Sequence, residues 1–126
     1  MKHLANYIKI LPLSDFDSFN GSTLISKSGA DPDLIIANND LVFDPKAGES
    51  GAGPFYTEEL SIVTDKLSDL QSKVYCSKRP VIVLLFDDQE NPVLWGDANQ
   101  KVRATLTPNI DKDILDLVRK TTTALF

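Results

Sequence analysis

The chain has 126 residues, of which 42% are apolar and 25% are charged. This length and balance are typical of one globular domain that needs no disulfide or metal for stability, and they exclude a wholly disordered chain. Acidic residues outnumber basic ones by 18 to 13, which gives a formal net charge of -5. Such a charge disfavours binding to the phosphate backbone of nucleic acids.

Only a few basic residues are close enough in sequence to form a local patch. They are Lys73, Lys78, Arg79, Lys101 and Arg103. They are sparse, and they are not interleaved with aromatic residues that could stack on bases. We therefore predict that they lie on a solvated face, and that the chain has no nucleic-acid partner.

The single cysteine, Cys76, has no second cysteine for a disulfide or a metal pair. Residues 1–13 contain Lys2 and Lys9 and do not resemble the apolar region of a signal peptide. The longest apolar run, residues 81–86, is too short to cross a bilayer. These features predict a protein that folds in a reducing cytoplasm without a membrane partner.

The first third of the chain predicts short strands and turns. Residues 3–13 favour a strand that Pro12 ends, and residues 14–22 favour a loop with its turn at Asn20-Gly21. Residues 23–27 predict another short strand. Two apolar segments flank the turn-forming residues 38–40, so residues 33–43 predict a hairpin.

Residues 44–54 (DPKAGESGAGP) contain three of the six glycines and two of the seven prolines. This composition predicts a mobile surface loop, because so few apolar side chains cannot pack a core. We predict that this segment is an interface loop. Its candidate contact residues are Lys46, Gly48, Glu49, Gly51, Gly53, Pro54 and Phe55.

The period of apolar residues changes near the middle of the chain. Residues 55–64 alternate as a strand does, whereas Leu67, Leu70 and Val74 recur at helical spacing. We predict a helix over about 66–77, with Asp65 as its N-cap. The helix should end before Pro80, which disfavours helical angles in the residue before it.

Residues 81–86 (VIVLLF) predict a strand that is buried on both faces. It should pair with residues 93–95 through a turn over residues 87–92. Residues 101–107 alternate as a half-buried strand. Residues 110–119 fit a helical face, although the following Lys120-Thr121-Thr122-Thr123 segment favours a strand.

No catalytic constellation is recognisable. His3, the sole histidine, is near the chain end, and Cys76 reads as a small buried residue. The acidic sets Asp15/Asp17, Asp31/Asp33 and Asp87/Asp88/Glu90 do not match a calcium loop. The glycine-rich segment lacks the ending of a phosphate loop. We predict no catalytic residue, metal or cofactor, and we interpret Trp95 as a core or rim anchor.

Residues 46–108 also have a recognisable layout. AGESGAGPFYTEEL (residues 47–60) leads into a strand and a helix, and RPVIVLLFDDQENPVLWG (residues 79–96) precedes a strand that ends near Thr107-Pro108. This layout resembles small tail-associated structural proteins of phages and prophages in Bacteroides-type bacteria. The resemblance implies a virion component without catalytic residues. It also implies that KTTTALF (residues 120–126) is a closing strand.

Together these features predict an α+β fold that is mostly β, with a curved antiparallel sheet or small β-barrel and one helix packed on it. The expected function is that of a non-enzymatic, tail-associated virion protein. It would act through self-association or contacts with neighbouring tail proteins, first in the cytoplasm of the bacterial host and then in the virion. Two alternatives stay open: a monomeric binding or adaptor module, and a small carboxylate-dependent hydrolase.

Overall fold

The computed structural model describes residues 2–43, 46–50, 53–75, 78–97 and 99–121. A short 3-10 turn covers Leu13–Asp15. The strands and the α-helix of the described part are β1 (Lys2–Pro12), β2 (Phe16–Phe19), β3 (Leu24–Ser26), β4 (Asp33–Ile36), β5 (Val42–Phe43), β6 (Lys46–Ser50), β7 (Gly53–Asp65), α1 (Asp69–Tyr75), β8 (Arg79–Asp87), β9 (Pro92–Trp95), β10 (Val102–Pro108) and β11 (Lys112–Thr121).

Nine of these strands form one antiparallel sheet, which curls strongly into a half-barrel. The order across the sheet is β4-β1-β8-β10-β11-β7-β6, with β5 paired to β1 and β9 paired to β8. The remaining strands, β2 and β3, form a separate two-stranded ribbon. The predicted fold, mostly β with a curved antiparallel sheet and one packed helix, is confirmed.

Strand β8 separates two apolar cores. Val81, Val83 and Leu85 point into the curl of the sheet and join the larger core. Ile82, Leu84 and Phe86 point outward, where Leu11 and the β2–β3 ribbon cover them. The prediction that residues 81–86 are buried on both faces is confirmed, and so is their pairing with residues 93–95.

Strands β9 and β10 behave as one interrupted partner of β8. Trp95 lies opposite Val83 and Val102 lies opposite Val81, so residues 96, 97 and 99–101 form a bulge beside a single β8 residue. Gly96 begins this bulge with a φ of 98°, and a Cβ atom there would lie 2.9 Å from Cγ2 of Val102. Glycine is therefore required where the bulge leaves the strand.

The helical alternative for residues 110–119, which the sequence leaves open beside a strand, is wrong, because these residues lie mainly in strand β11. Ten consecutive residues of β11 pair with β7, from Lys112 opposite Asp65 to Thr121 opposite Tyr56. Strand β11 also pairs with β10 on its other side. Residues 113, 115, 117, 119 and 121 are the buried set, which is the period of a strand rather than a helix.

The hairpin predicted for residues 33–43 is also wrong. Both of its apolar segments form strands, but β4 and β5 each pair with β1 and not with each other. The connecting residues instead reach β7 across the opening of the half-barrel. Ala37 bridges Thr64, and the Asn39 side chain accepts a hydrogen bond from the N–H of Val63.

Two predicted loops contain strands. Residues 16–19 form β2, although the turn at Asn20-Gly21 is confirmed, with Gly21 at a φ of 95°. Residues 46–50 form β6, which pairs with the start of β7 as a hairpin. A mobile loop is therefore the wrong description of residues 46–50 and 53–54. The rest of the predicted segment, residues 44, 45, 51 and 52, lies outside the described residues.

The helix α1 is shorter than predicted. It begins at Asp69, and its cap is Ser68, not Asp65: the Gln71 N–H donates to the Ser68 hydroxyl, and the Ser68 N–H donates to the Gln71 side chain. Tyr75 is buried in the larger core and donates a hydrogen bond of 2.7 Å to Asp33. No helix in the described part of the chain is long and apolar enough to cross a membrane.

Candidate functional site

The segment predicted as an interface is an edge strand and its hairpin partner. Lys46, Gly48 and Glu49 lie in β6, whereas Gly53, Pro54 and Phe55 lie in β7. Gly51 is outside the described residues. The cross-strand pair Gly48–Phe55 is close, because a Cβ atom on Gly48 would lie 2.8 Å from Cζ of the Phe55 ring. Glycine thus lets the aromatic ring lie over the edge strand.

The far side of β6 has no partner strand among the described residues. Glu49 lies opposite Pro54, which has no N–H and cannot donate into the ladder. This pair is therefore of the non-hydrogen-bonded type, so the N–H groups of Glu49 and of Ala47, two residues earlier, point away from β7. The edge presents backbone donors that another strand could use.

A second surface lies on the outer face of β10 and β11, beside the bulge that Gly96 begins. It is an open groove of about 720 Å³. Among the described residues, four cationic side chains line it, and Asp116 is the one carboxylate. The cations are Lys78, Lys101, Arg103 and Lys120. We call this surface the basic groove.

The alternation of β10 and β11 places these side chains together. Val102 and Ala104 point into the core, so Arg103 and Thr105 point outward. Arg103 lies opposite Val118, and Lys120 follows two residues later on the same face. A smaller neighbouring hollow of about 500 Å³ shares Lys78 and Lys101 with the basic groove and adds Arg79.

The cations of the basic groove are not neutralised by the described part of the molecule. Salt bridges join Lys66 to Asp113, Lys112 to Asp65 and Arg119 to Glu58, and no groove cation takes part in one within the described residues. Asp116 instead accepts a hydrogen bond of 2.8 Å from the Ser61 hydroxyl. The groove is thus a local positive field on an acidic protein.

The sequence prediction for Lys78, Lys101 and Arg103 is a solvated face. These residues are exposed, as predicted, and they converge on one groove. Lys120 does not stand out in the sequence, because its nearness to Arg103 depends on the register of β10 and β11. No signal within a single segment of the sequence could have shown this convergence.

The turn between β8 and β9 forms an acidic tip, which consists of Asp87, Asp88, Gln89 and Glu90. Asp87 Oδ1 accepts hydrogen bonds from the backbone N–H groups of Asn91 at 2.8 Å and Gln89 at 2.9 Å. The bond from Asn91 contributes most to lowering the pKa of Asp87 below its ordinary value. The carboxylate therefore stays ionised at neutral pH and fixes the turn.

Glu90 completes the acidic tip in an uncommon backbone conformation, with a φ of 62°. Its Oε1 accepts a hydrogen bond of 2.8 Å from the Tyr7 hydroxyl of β1, which raises the pKa of that phenol. Asp88 and Gln89 are exposed at the end of the turn. Lys2 is the cation whose charge reaches Asp87 from the neighbouring strand.

A buried polar cluster lies inside the half-barrel. Arg119 Nε donates to Glu58 Oε1 at 2.5 Å, and Trp95 Nε1 donates to the same oxygen at 3.1 Å. Phe43 meets the Trp95 ring edge-on, with the ring centroids 5.1 Å apart. Trp95 is fully buried, so of the two predicted positions, core or rim, it occupies the core. The role of the cluster is to hold β7, β9 and β11 together.

The acidic sets considered as cation ligands make local structural contacts. Asp15 accepts hydrogen bonds from the N–H and hydroxyl of Ser28, and Asp33 accepts them from Gln71 and Tyr75. Within the described residues, no three His, Cys, Asp or Glu side chains are grouped so that they could hold a metal ion. His3 lies exposed in β1 opposite Val42, and Cys76 is outside the described residues.

Comparison with protein-family models, curated proteins and solved structures finds no match to this chain. The function must therefore be argued from these surfaces themselves.

Proposed function

We propose that this chain is a non-enzymatic structural protein of a phage or prophage tail. It would be made in the cytoplasm of the bacterial host and then become part of the virion. It acts by self-association or by contact with neighbouring tail proteins. The observation that supports this proposal is the edge strand β6, which has no partner on its far side among the described residues.

An edge strand of this kind can accept a strand from another molecule. Backbone hydrogen bonds supply affinity in such strand addition, and they need no particular side chains on the accepting edge. Strand β6 is suited to this role because Lys46 and Ala47 are exposed and the N–H of Ala47 points outward. The glycine-rich composition that predicts a loop is equally compatible with an edge that a second backbone must approach closely.

The substitution Ala47→Pro tests this proposal. Proline removes the outward N–H and blocks the edge, yet it leaves the ladder between β6 and β7 intact because residue 47 donates nothing to β7. The matched control is Ala47→Thr, which keeps the N–H and favours a strand. Both variants should melt at the same temperature as the parent protein.

The measurement is the amount of each variant in tail particles purified from the host, quantified by mass spectrometry. We expect the parent chain and Ala47→Thr in the particles and Ala47→Pro missing from them. Amide exchange at Ala47 should be fast in the isolated protein and slow in the particle. Absence of the parent chain from particles would refute the tail assignment, and normal incorporation of Ala47→Pro would refute the edge as the contact.

A further inference from the structure

The basic groove and the acidic tip carry opposite charges at opposite ends of the same strand. Lys78 and Arg79 stand at the start of β8, and Asp87 and Asp88 stand at its end. A strand of nine residues is about 30 Å long. The two surfaces are therefore too far apart to neutralise each other within one molecule, because screening at physiological salt acts over about 8 Å.

We propose that the basic groove receives the acidic tip of a second copy of this chain. This inference deepens the proposed function, since it rests on self-association and names the two surfaces that meet. The cations of the groove would bind the carboxylates of Asp88 and its neighbours. Arg103 contributes most to the specificity, because a guanidinium can bind a carboxylate through two parallel hydrogen bonds.

The form of the acidic tip favours this partner. Its backbone is already ordered by the hydrogen bonds to Asp87 and by the bond between Tyr7 and Glu90. Docking such a turn costs little conformational entropy compared with ordering a flexible tail. Its outermost side chains, Asp88 and Gln89, are exposed and free to enter a groove.

Nucleic acid is the less suitable partner for the same groove. The chain carries a net charge of -5, so the surface outside the groove repels a phosphate backbone. The described residues that line the groove include no aromatic side chain on which a base could stack. An acidic polypeptide needs neither a stacking platform nor a long positive track.

A contact between two different surfaces is heterologous, so each bound copy still offers a free groove at one end and a free tip at the other. Such contacts close into rings when the rotation between copies allows it and otherwise extend as filaments. The contact should weaken as salt is added, because exposed charges make most of it.

Charge reversal on the two surfaces tests the inference. One variant carries Lys101→Glu with Arg103→Glu, and the other carries Asp88→Lys with Gln89→Lys. Glu90 is left unchanged because its backbone conformation and its bond to Tyr7 maintain the turn. Lys27→Glu and Asp111→Lys, which reverse exposed charges outside both surfaces, are the controls.

Sedimentation at low salt measures the self-association of each protein. We expect each double variant alone to associate about tenfold more weakly than the parent, and an equimolar mixture of the two to recover the association. The controls should behave as the parent does. Circular dichroism checks that every variant is folded.

Three results would overturn the inference. In the first, the parent associates but the mixture of variants does not recover the association. In the second, the parent is monomeric at every salt concentration. In the third, the parent binds a short single-stranded oligonucleotide, and only the groove variant loses this binding. None of these results affects the particle experiment on Ala47, so failure of this inference is distinguishable from failure of the proposed function.

Discussion

The buried ion pair between Arg119 and Glu58 allows a quantitative test of the interior. Glu58 is fully buried, and Arg119 Nε lies 2.5 Å from its carboxylate across the β7–β11 ladder. The substitution Arg119→Met keeps an unbranched apolar stem as far as the position of Nε and removes the guanidinium that pairs with the carboxylate of Glu58. Breaking a buried pair in this way costs roughly 3–5 kcal/mol, a large share of the stability of a small domain.

The second half of the test removes both charges. In the parent protein Trp95 Nε1 donates a hydrogen bond of 3.1 Å to the Glu58 carboxylate. Glu58→Gln keeps an oxygen that can accept this bond. The double variant Glu58→Gln/Arg119→Met should therefore be clearly more stable than Arg119→Met alone, since no isolated charge remains buried. Urea unfolding measures the free energy of unfolding of each variant. The slope of this free energy against urea concentration is compared among the variants, to confirm that unfolding exposes the same surface in each.

A loss below about 1 kcal/mol for Arg119→Met would refute this reasoning, because that is the range of a solvent-exposed pair. A double variant that is less stable than the single one would refute it as well. That result would mean that contacts of Glu58 other than the ion pair with Arg119, and not an isolated buried charge, determine the cost.

Three further predictions concern the core, the bulge and acid stability. Leu84→Ala should cost roughly 2–5 kcal/mol in a denaturant melt, because Leu84 is fully buried in the smaller core. Gly96→Ala should cost about 1–3 kcal/mol by the same measurement, because its φ is positive and the new Cβ meets Val102. Burial alone would raise the pKa of Asp113, but the hydrogen bond from Lys66 and the N–H of Leu67 hold it below the ordinary value. Ionised Asp113 thus stabilises the fold above the ordinary carboxyl range, and this stabilisation disappears as the pH falls through its lowered pKa. The pH dependence of the melting temperature should accordingly be flatter at the acid end in Asp113→Asn.

Among the strands that the sequence predicts correctly, residues 81–86 and 101–107 have only apolar side chains at their buried positions, and their burial follows directly from their pattern. The pattern of strand β11 leaves helix and strand open because three of its buried positions, Asp113, Arg119 and Thr121, are polar. Each can be buried only because another segment supplies its partner, and the partners cannot be seen in the strand itself.

The pairing of strands was harder to predict than their positions. The two apolar segments of residues 33–43 are close in sequence, so a hairpin was the natural expectation. Strand β1 is long enough to pair with both, and it displaces the local pairing. In the glycine-rich segment, contact between Gly48 and the ring of Phe55 stabilises a hairpin that composition alone argues against.

The candidate surfaces also differ in how far the sequence alone shows them. The acidic tip is visible in the sequence as a run of carboxylates in a turn, and the segment that contains β6 was also singled out. The basic groove combines residues from before β8, from the bulge, and from β10 and β11. Their convergence depends on register and on the curl of the sheet, which no local pattern encodes.

The central place of β1 has a consequence for how the chain is made. Its main partner, β8, begins about 70 residues later, so a ribosome that adds ~5–20 residues per second completes β8 roughly 4–15 s after β1. Until then β1 can pair only with β4 and β5, and Ile8, Ile10 and Leu11, which the finished protein buries, lack the side chains of β8 that cover them. The nascent chain therefore exposes an apolar, aggregation-prone strand for seconds. The yield of folded protein should accordingly depend on translation speed and on chaperone supply.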